Sequence, residues 1–65
     1  MKVLTYEARV RKNMTLQTLA KKTGISKTTL NNIENQNVSP TLDQLRLIAV
    51  ALDTKITALF IDKYK

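Results

Sequence analysis

Apolar residues recur three or four positions apart in several short stretches of this chain, with polar residues between them. This spacing places the apolar residues on one face of a helix, so it predicts short amphipathic helices. Five helices are expected, over residues 5–12, 16–23, 27–35, 42–52 and 56–60. The flanking residues 1–4 and 60–64 are candidates for a small two-stranded ribbon.

Residues typical of helix ends stand at the borders of these stretches. Thr15 and Ser26 precede the second and third helices, where their side chains can accept hydrogen bonds from free backbone N–H groups. Gly24 lies between those two helices, where a reversal of the chain requires a positive φ. Thr41 and Gln44 have the spacing of a capping box, which predicts the start of the fourth helix.

The fourth helix has more apolar residues than one buried face needs. After an apolar first residue, Leu42, its core face is expected to contain Leu45, Ile48, Ala49 and Leu52. Three further apolar residues lie off this face, namely Leu47, Val50 and Ala51. A helix that is apolar around most of its girth requires a second buried face. We expect a second copy of the chain to cover it; the alternative is that the last helix and the ribbon do so.

The chain of 65 residues carries a formal charge of +6, and this charge is unevenly distributed. Residues 1–33 contain seven Lys or Arg and one acidic residue, Glu7, whereas residues 34–65 contain four basic and four acidic residues. The excess of positive charge therefore lies in the first half of the chain. It indicates a polyanionic partner for that half.

The composition excludes several classes of protein. With no Cys and no His, the chain has no disulfide, no thiolate or imidazole metal site and no Ser–His or Cys–His catalytic pair. Its longest aliphatic run, residues 47–52, is far shorter than the roughly 20 residues that span a bilayer. The first residues lack the apolar stretch of a signal peptide. We expect one intracellular domain over residues 1–65, with no enzymatic activity, metal, cofactor, small-molecule ligand or membrane contact.

Residues 16–35 combine two short helices with a tight turn at a single glycine. Leu19 and the small Ala20 allow the first helix to lie close against the second. Leu30 and Ile33 anchor the second helix from its inner side. This pattern is typical of a helix-turn-helix, in which the outer face of the second helix enters the major groove of DNA.

The chain resembles the Cro and phage-repressor-like helix-turn-helix domains, also called the xenobiotic-response-element type, over about residues 5–60. The best-matching stretches are Met-Thr-Leu-Gln-Thr-Leu-Ala (14–20), Thr-Gly-Ile-Ser-Lys-Thr-Thr-Leu (23–30), Ile-Glu-Asn (33–35) and Ser-Pro-Thr-Leu (39–42). The resemblance implies an all-α, five-helix lambda-repressor-like domain that binds double-stranded DNA sequence-specifically. Such domains usually act as homodimers in transcriptional control, so a cytoplasmic repressor on a near-palindromic operator is expected, nucleoid-associated when bound.

Three residues depart from the family's pattern. Leu16 stands where many members have a phosphate-binding Gln, and the adjacent Gln17 is the expected substitute. Gln36 stands where Gly often ends the recognition helix, which makes this helix end less favourable. Asp53 stands where Gly or Asn is usual before the last helix.

Four polar residues lie on the outer face of the recognition helix, namely Lys27, Thr28, Asn31 and Asn32. Lys27 can donate to guanine, Asn32 can pair with adenine, and Thr28 can hydrogen-bond a base or pack on a thymine methyl group. The resemblance supports base contact most directly for Lys27, Thr28 and Asn32. The alternative is a solvated polar face.

Candidates for contact with phosphate oxygens flank the two motif helices: Thr15, Gln17, Ser26 and Asn35. Backbone N–H groups at the N-termini of the two helices are expected to assist them. For Thr15 and Ser26 the alternative is simple N-capping, and the two roles are compatible.

The resemblance also implies an ion pair between Arg9 in the first helix and Glu34 at the end of the recognition helix. A partly buried pair would fix the recognition helix against the first helix. Removing one partner would leave a buried charge without compensation.

A protein-interaction module with the same fold, such as an antitoxin, is the alternative function. An acidic or apolar outer face on the recognition helix would favour it, whereas this face is polar and lies in the basic half. An antitoxin that also binds its own operator is compatible with both functions.

Overall fold

A computed structural model describes residues 1–62 of the protein. Within these residues, four α-helices and one 3-10 turn lie between two short strands. The helices are α1 (Thr5–Arg11), α2 (Leu16–Thr23), α3 (Lys27–Glu34) and α4 (Leu42–Ala51). The strands are β1 (Lys2–Val3) and β2 (Phe60–Ile61), and the 3-10 turn covers Ile56–Ala58.

The expected fifth helix is a single 3-10 turn. The N–H groups of Ala58 and Leu59 bond to carbonyl groups three residues earlier, and the chain then enters β2. A count of five helices is therefore not confirmed, although the mostly helical fold with a small ribbon is. The expected pairing at residues 63–64 lies outside the described residues.

The two strands form an antiparallel ribbon that joins the beginning and the end of the described chain. Val3 lies opposite Phe60, and Lys2 lies opposite Ile61. The N–H of Leu4 extends the pairing by donating to the carbonyl of Leu59 at 2.6 Å. The side chain of Val3 is buried, so the ribbon also covers part of the core.

The core is built from the inward faces that the helical periodicity predicts. Each Leu or Ile that is removed from water stabilises the fold by about 1.5–3 kcal/mol relative to an exposed one. The fully buried aliphatic residues are Leu19, Leu30, Ile33, Ile48, Leu52 and Leu59.

The predicted caps of the helices are confirmed. The side chains of Thr15, Ser26 and Thr41 each accept a hydrogen bond from the backbone N–H three residues later. Thr41 also forms the complete capping box, because the side chain of Gln44 bonds back to the N–H of Thr41 at 3.0 Å.

The chain adopts a left-handed backbone at four described positions, but only Gly24 (φ 75°) is a glycine. The others follow α1, α3 and α4, and they are Asn13 (φ 55°), Gln36 (φ 64°) and Asp53 (φ 52°). In each case, the residue that follows the left-handed one donates its N–H to the carbonyl of the residue five positions before itself, as in a Schellman motif. Gln36 and Asp53 are the two positions at which glycine is usual in the family that the chain resembles, whereas nothing in the sequence pattern indicated a left-handed backbone at Asn13.

The faces of α4 differ in part from the expected pattern. The expected core face of Leu45, Ile48, Ala49 and Leu52 is buried, whereas Leu42 is 70% exposed. It is the first residue of α4, and helical spacing gives its direction but not whether a neighbour covers that turn. Of the expected dimer face, Leu47 and Val50 are exposed, by 37% and 73%, whereas Ala51 is half-buried against the core of its own chain.

Candidate nucleic-acid interface

The outer face of α3 is presented to solvent because its inner face is anchored in the core. Leu30 is buried on the inner side, in the same cluster as Leu19 of α2. On the outer side, Lys27, Thr28 and Asn31 are exposed, and Asn32 is half-buried. The four candidate base-contacting residues therefore lie along the first two turns of α3.

The turn between α2 and α3 is held by a residue that sequence analysis missed. The buried hydroxyl of Thr23 donates to the carbonyl of Leu19 at 2.8 Å and accepts from the N–H of Ile25 at 3.1 Å. These bonds join the last turn of α2 to the residue that follows Gly24. The only sequence signal for this role was the position of a Thr directly before the glycine. A Thr hydroxyl in such a turn can bond to nearby backbone groups.

The N-terminal caps of α2 and α3 have the same construction. Thr15 accepts from the N–H of Thr18 at 3.1 Å, and the hydroxyl groups of the two residues are 2.9 Å apart. Ser26 accepts from the N–H of Thr29 at 3.1 Å, and their hydroxyl groups are 2.8 Å apart. Thr18 and Thr29 were not among the predicted site residues.

Both caps leave the N-terminal ends of their helices suited to an anion. The first turns of α2 and α3 contain no acidic residue, so the positive ends of the helix dipoles are not compensated there. Thr15 and Gln17 lie together and exposed at the start of α2, and Ser26 is exposed at the start of α3. Asn35, also exposed, caps the opposite end of α3.

Arg9 and Glu34 form an ion pair with two contacts. Arg9 Nε lies 2.7 Å from Glu34 Oε2, and Arg9 Nη2 lies 3.1 Å from Glu34 Oε1. The side chains are only 14% and 5% exposed. The hydrogen bond to Glu34 raises the pKa of Arg9 above its ordinary value, although burial opposes this. The guanidinium therefore remains charged, and the pair connects α1 to the end of α3.

This pair changes the interpretation of the charge distribution. Arg9 is neutralised by Glu34, which comes from the second half of the chain, so it adds no net charge to the surface. The other basic residues of the first half are all exposed, namely Lys2, Arg11, Lys12, Lys21, Lys22 and Lys27. The positive surface that faces solvent thus remains in the half that contains α2 and α3.

A family model described as helix-turn-helix matches residues 6–59, which include α2 to α4, the 3-10 turn and all of α1 except its first residue. The chain belongs to the Cro/C1-type helix-turn-helix family. The family is one of DNA-binding domains and not of enzymes, and it implies binding to double-stranded DNA. No curated protein matches the chain.

Within the family, the departure at Leu16 has a structural explanation. Leu16 is half-buried and packs against the core, whereas the adjacent Gln17 is exposed. The side chain at position 16 therefore supports the packing of α2, and Gln17 is the side chain that is free to reach outward from this turn.

Two other kinds of feature are absent from residues 1–62. No three His, Cys, Asp or Glu side chains are grouped so that they could hold a metal ion. None of the helices in this part of the chain has both the length and the apolar character needed to cross a membrane.

Proposed function

We propose that the chain is a sequence-specific, DNA-binding transcriptional regulator that acts as a repressor. The observation that carries this proposal is the outer face of α3. It presents Lys27, Thr28, Asn31 and Asn32 from a helix whose inner face is locked into the core. Lys and Asn side chains are the types that pair with guanine and adenine edges in the major groove.

The contacts to the DNA backbone follow from the same geometry. The N-termini of α2 and α3 are free of acidic residues, and Thr15, Gln17 and Ser26 are exposed beside them. We assign these residues, together with Asn35, to phosphate contact. The exposed lysines and Arg11 of the first half attract the phosphate backbone at longer range.

The proposal includes a homodimer that uses the exposed side of α4. Leu47 and Val50 are apolar and exposed, and Leu42 at the start of the same helix is exposed as well. Half-buried Ala51 lies at its border. A two-fold dimer would place its recognition helices in major grooves about 34 Å apart, so its operator would be near-palindromic.

Selection of bound sequences from a random pool of duplex DNA tests the proposal. We expect enrichment of one motif with two related half-sites, roughly 10 base pairs apart from centre to centre. The control is a variant with Lys27→Ala, Thr28→Ala and Asn32→Ala, whose helix content should be unchanged and whose enrichment should be lost. Equal recovery of all sequences by the wild-type chain would refute sequence-specific binding.

The alternative, a protein-interaction module such as an antitoxin, is not better supported. The outer face of α3 is neither acidic nor apolar. Because the proposed partner is genomic DNA, we place the protein in the cytoplasm, on the nucleoid when it is bound.

A further inference from the structure

In the part of the chain that the structure describes, the outer edge of β1 is occupied by a side chain and not by another strand. Gln36 Oε1 accepts a hydrogen bond from the N–H of Val3 at 3.1 Å, and Gln36 Nε2 donates to the carbonyl of Val3 at 2.9 Å. A neighbouring strand would supply the same two groups, one acceptor and one donor. The Gln36 amide therefore takes the place of a third strand in this sheet.

The register of the ribbon explains why Val3 is the residue that Gln36 contacts. In an antiparallel pair, residues alternately direct both backbone groups toward the partner strand and away from it. The N–H of Leu4 donates to the carbonyl of Leu59, which precedes the partner strand β2. The N–H and carbonyl of the preceding residue, Val3, therefore point away from β2, to the outer edge. Gln36 thus covers both groups that β1 offers to another chain.

Gln36 forms these two hydrogen bonds from a strained backbone conformation. Its φ of 64° lies in the left-handed region, which glycine adopts readily and other residues seldom adopt. A glycine would relieve the strain, but it would leave the N–H and carbonyl of Val3 open. The side chain of Gln36 therefore covers the edge of β1, which glycine cannot do.

We propose that the Gln36 amide prevents β1 from pairing with β1 of a second copy of this chain. Val3 carries a donor and an acceptor on one edge, so two Val3 residues related by a two-fold axis can exchange both bonds. The edge is complementary to itself, and unpaired strand edges promote association of this kind. The inference is independent of the proposed DNA binding and of the exposed side of α4.

Sedimentation equilibrium of the Gln36→Gly variant tests the inference. We expect its weight-average mass to reach at least about twice that of the wild type at the same high concentration, because each copy gains one additional two-fold contact. Gln36→Glu is the matched control, because its carboxylate still covers the edge and accepts from Val3, and its mass should equal that of the wild type. Equal masses for Gln36→Gly and wild type would overturn the inference.

A second variant and a backbone change separate edge pairing from other causes. Gln36→Ala opens the same edge while it retains the backbone strain, so it must associate like Gln36→Gly. N-methylation of Val3 in a synthetic Gln36→Gly chain removes the donor and must restore the wild-type mass. Association that persists after this change would show that another surface is used, and would refute the proposal.

Amide exchange at Val3 gives a residue-specific measurement. In dilute Gln36→Gly, we expect the Val3 amide to exchange about tenfold faster than in the wild type, because its hydrogen bond is lost. The rate should fall again as the concentration rises and the strands pair. A rate that is unchanged in the dilute variant would mean that Gln36 does not protect this edge.

Discussion

The guanidinium of Arg9 binds Glu34 through two nitrogens, while its third nitrogen, Nη1, donates to the carbonyl of Met14 at 2.9 Å. One side chain therefore joins α1, the segment that precedes α2, and the end of α3. The ring of Tyr6 lies 5.4 Å from the same guanidinium and covers it on one side. This network fixes the end of the recognition helix to the rest of the domain.

Replacement of Arg9 is expected to destabilise the fold strongly. Arg9→Met leaves the Glu34 carboxylate buried without its partner, so the free energy of unfolding should fall by about 3 kcal/mol. The matched control is Arg46→Met, because Arg46 pairs with Asp43 at 3.7 Å with both side chains well exposed. Its loss should change stability by less than about 0.5 kcal/mol. Urea unfolding of both variants measures this, and equal losses would contradict the assigned role of Arg9.

Two buried threonines should respond in opposite ways to the same substitution. The hydroxyl of Thr5 is buried and has no hydrogen-bond partner among residues 1–62, so Thr5→Val should stabilise the domain by about 1 kcal/mol. Thr23→Val removes two bonds from the turn and should destabilise it by about 1–2 kcal/mol. Thermal and urea unfolding provide the comparison. Loss of stability in Thr5→Val would show that its hydroxyl is satisfied in solution.

A single substitution at the C-terminal end of α4 should stabilise the domain. Asp53 has a left-handed backbone, and its negative charge lies at the C-terminal end of the helix, where the dipole is also negative. Asp53→Gly removes both penalties and should stabilise the domain by about 1 kcal/mol. Asp53→Asn removes only the charge, so its gain should be about half as large. If Asp53→Gly is no more stable than the wild type in urea, the position is not strained.

The base-contact assignment predicts a difference between two DNA-binding variants. Asn32→Ala should relax preference at one base pair by about 1–3 kcal/mol, because a side chain on the outer face of α3 is lost. Gln17→Ala should instead weaken binding to all sequences by a similar factor, since phosphate contacts carry no direct sequence information. Affinities for a panel of single-base operator variants distinguish them. A uniform loss for Asn32→Ala would assign Asn32 to the DNA backbone.

The exposed side of α4 predicts how a substitution in the proposed dimer face changes the oligomeric state. Val50→Glu places a charge in the proposed dimer face and should shift the protein to the monomer, with weaker binding to a two-half-site operator. Val10→Glu is the control, because Val10 is also exposed but lies on α1. Light scattering at several concentrations measures the shift. If both variants keep the wild-type mass, the dimer face lies elsewhere.

Helical spacing and cap residues predicted the positions of α1 to α4 and the orientation of α3. Thr15, Ser26 and Thr41 were identifiable because a cap bonds to an N–H three residues away, which makes it a property of local sequence. The exposed side of α3 followed from its periodicity in the same way. Periodicity did not indicate that Leu42, the first residue of α4, is exposed, because spacing alone does not show where the packing partner ends.

Features that depend on neighbours within about one helical turn could therefore be inferred from local sequence: the helices, their caps and the turn at Gly24. Contacts between residues that are far apart in the chain became visible in the folded domain. Arg9 and Glu34 are 25 positions apart, and a family resemblance, not a residue pattern, pointed to them. Val3 and Gln36 are 33 positions apart, and nothing in the sequence pattern indicated them. Such contacts depend on how the helices pack in space, because packing, and not local spacing, brings distant side chains within bonding distance of one another.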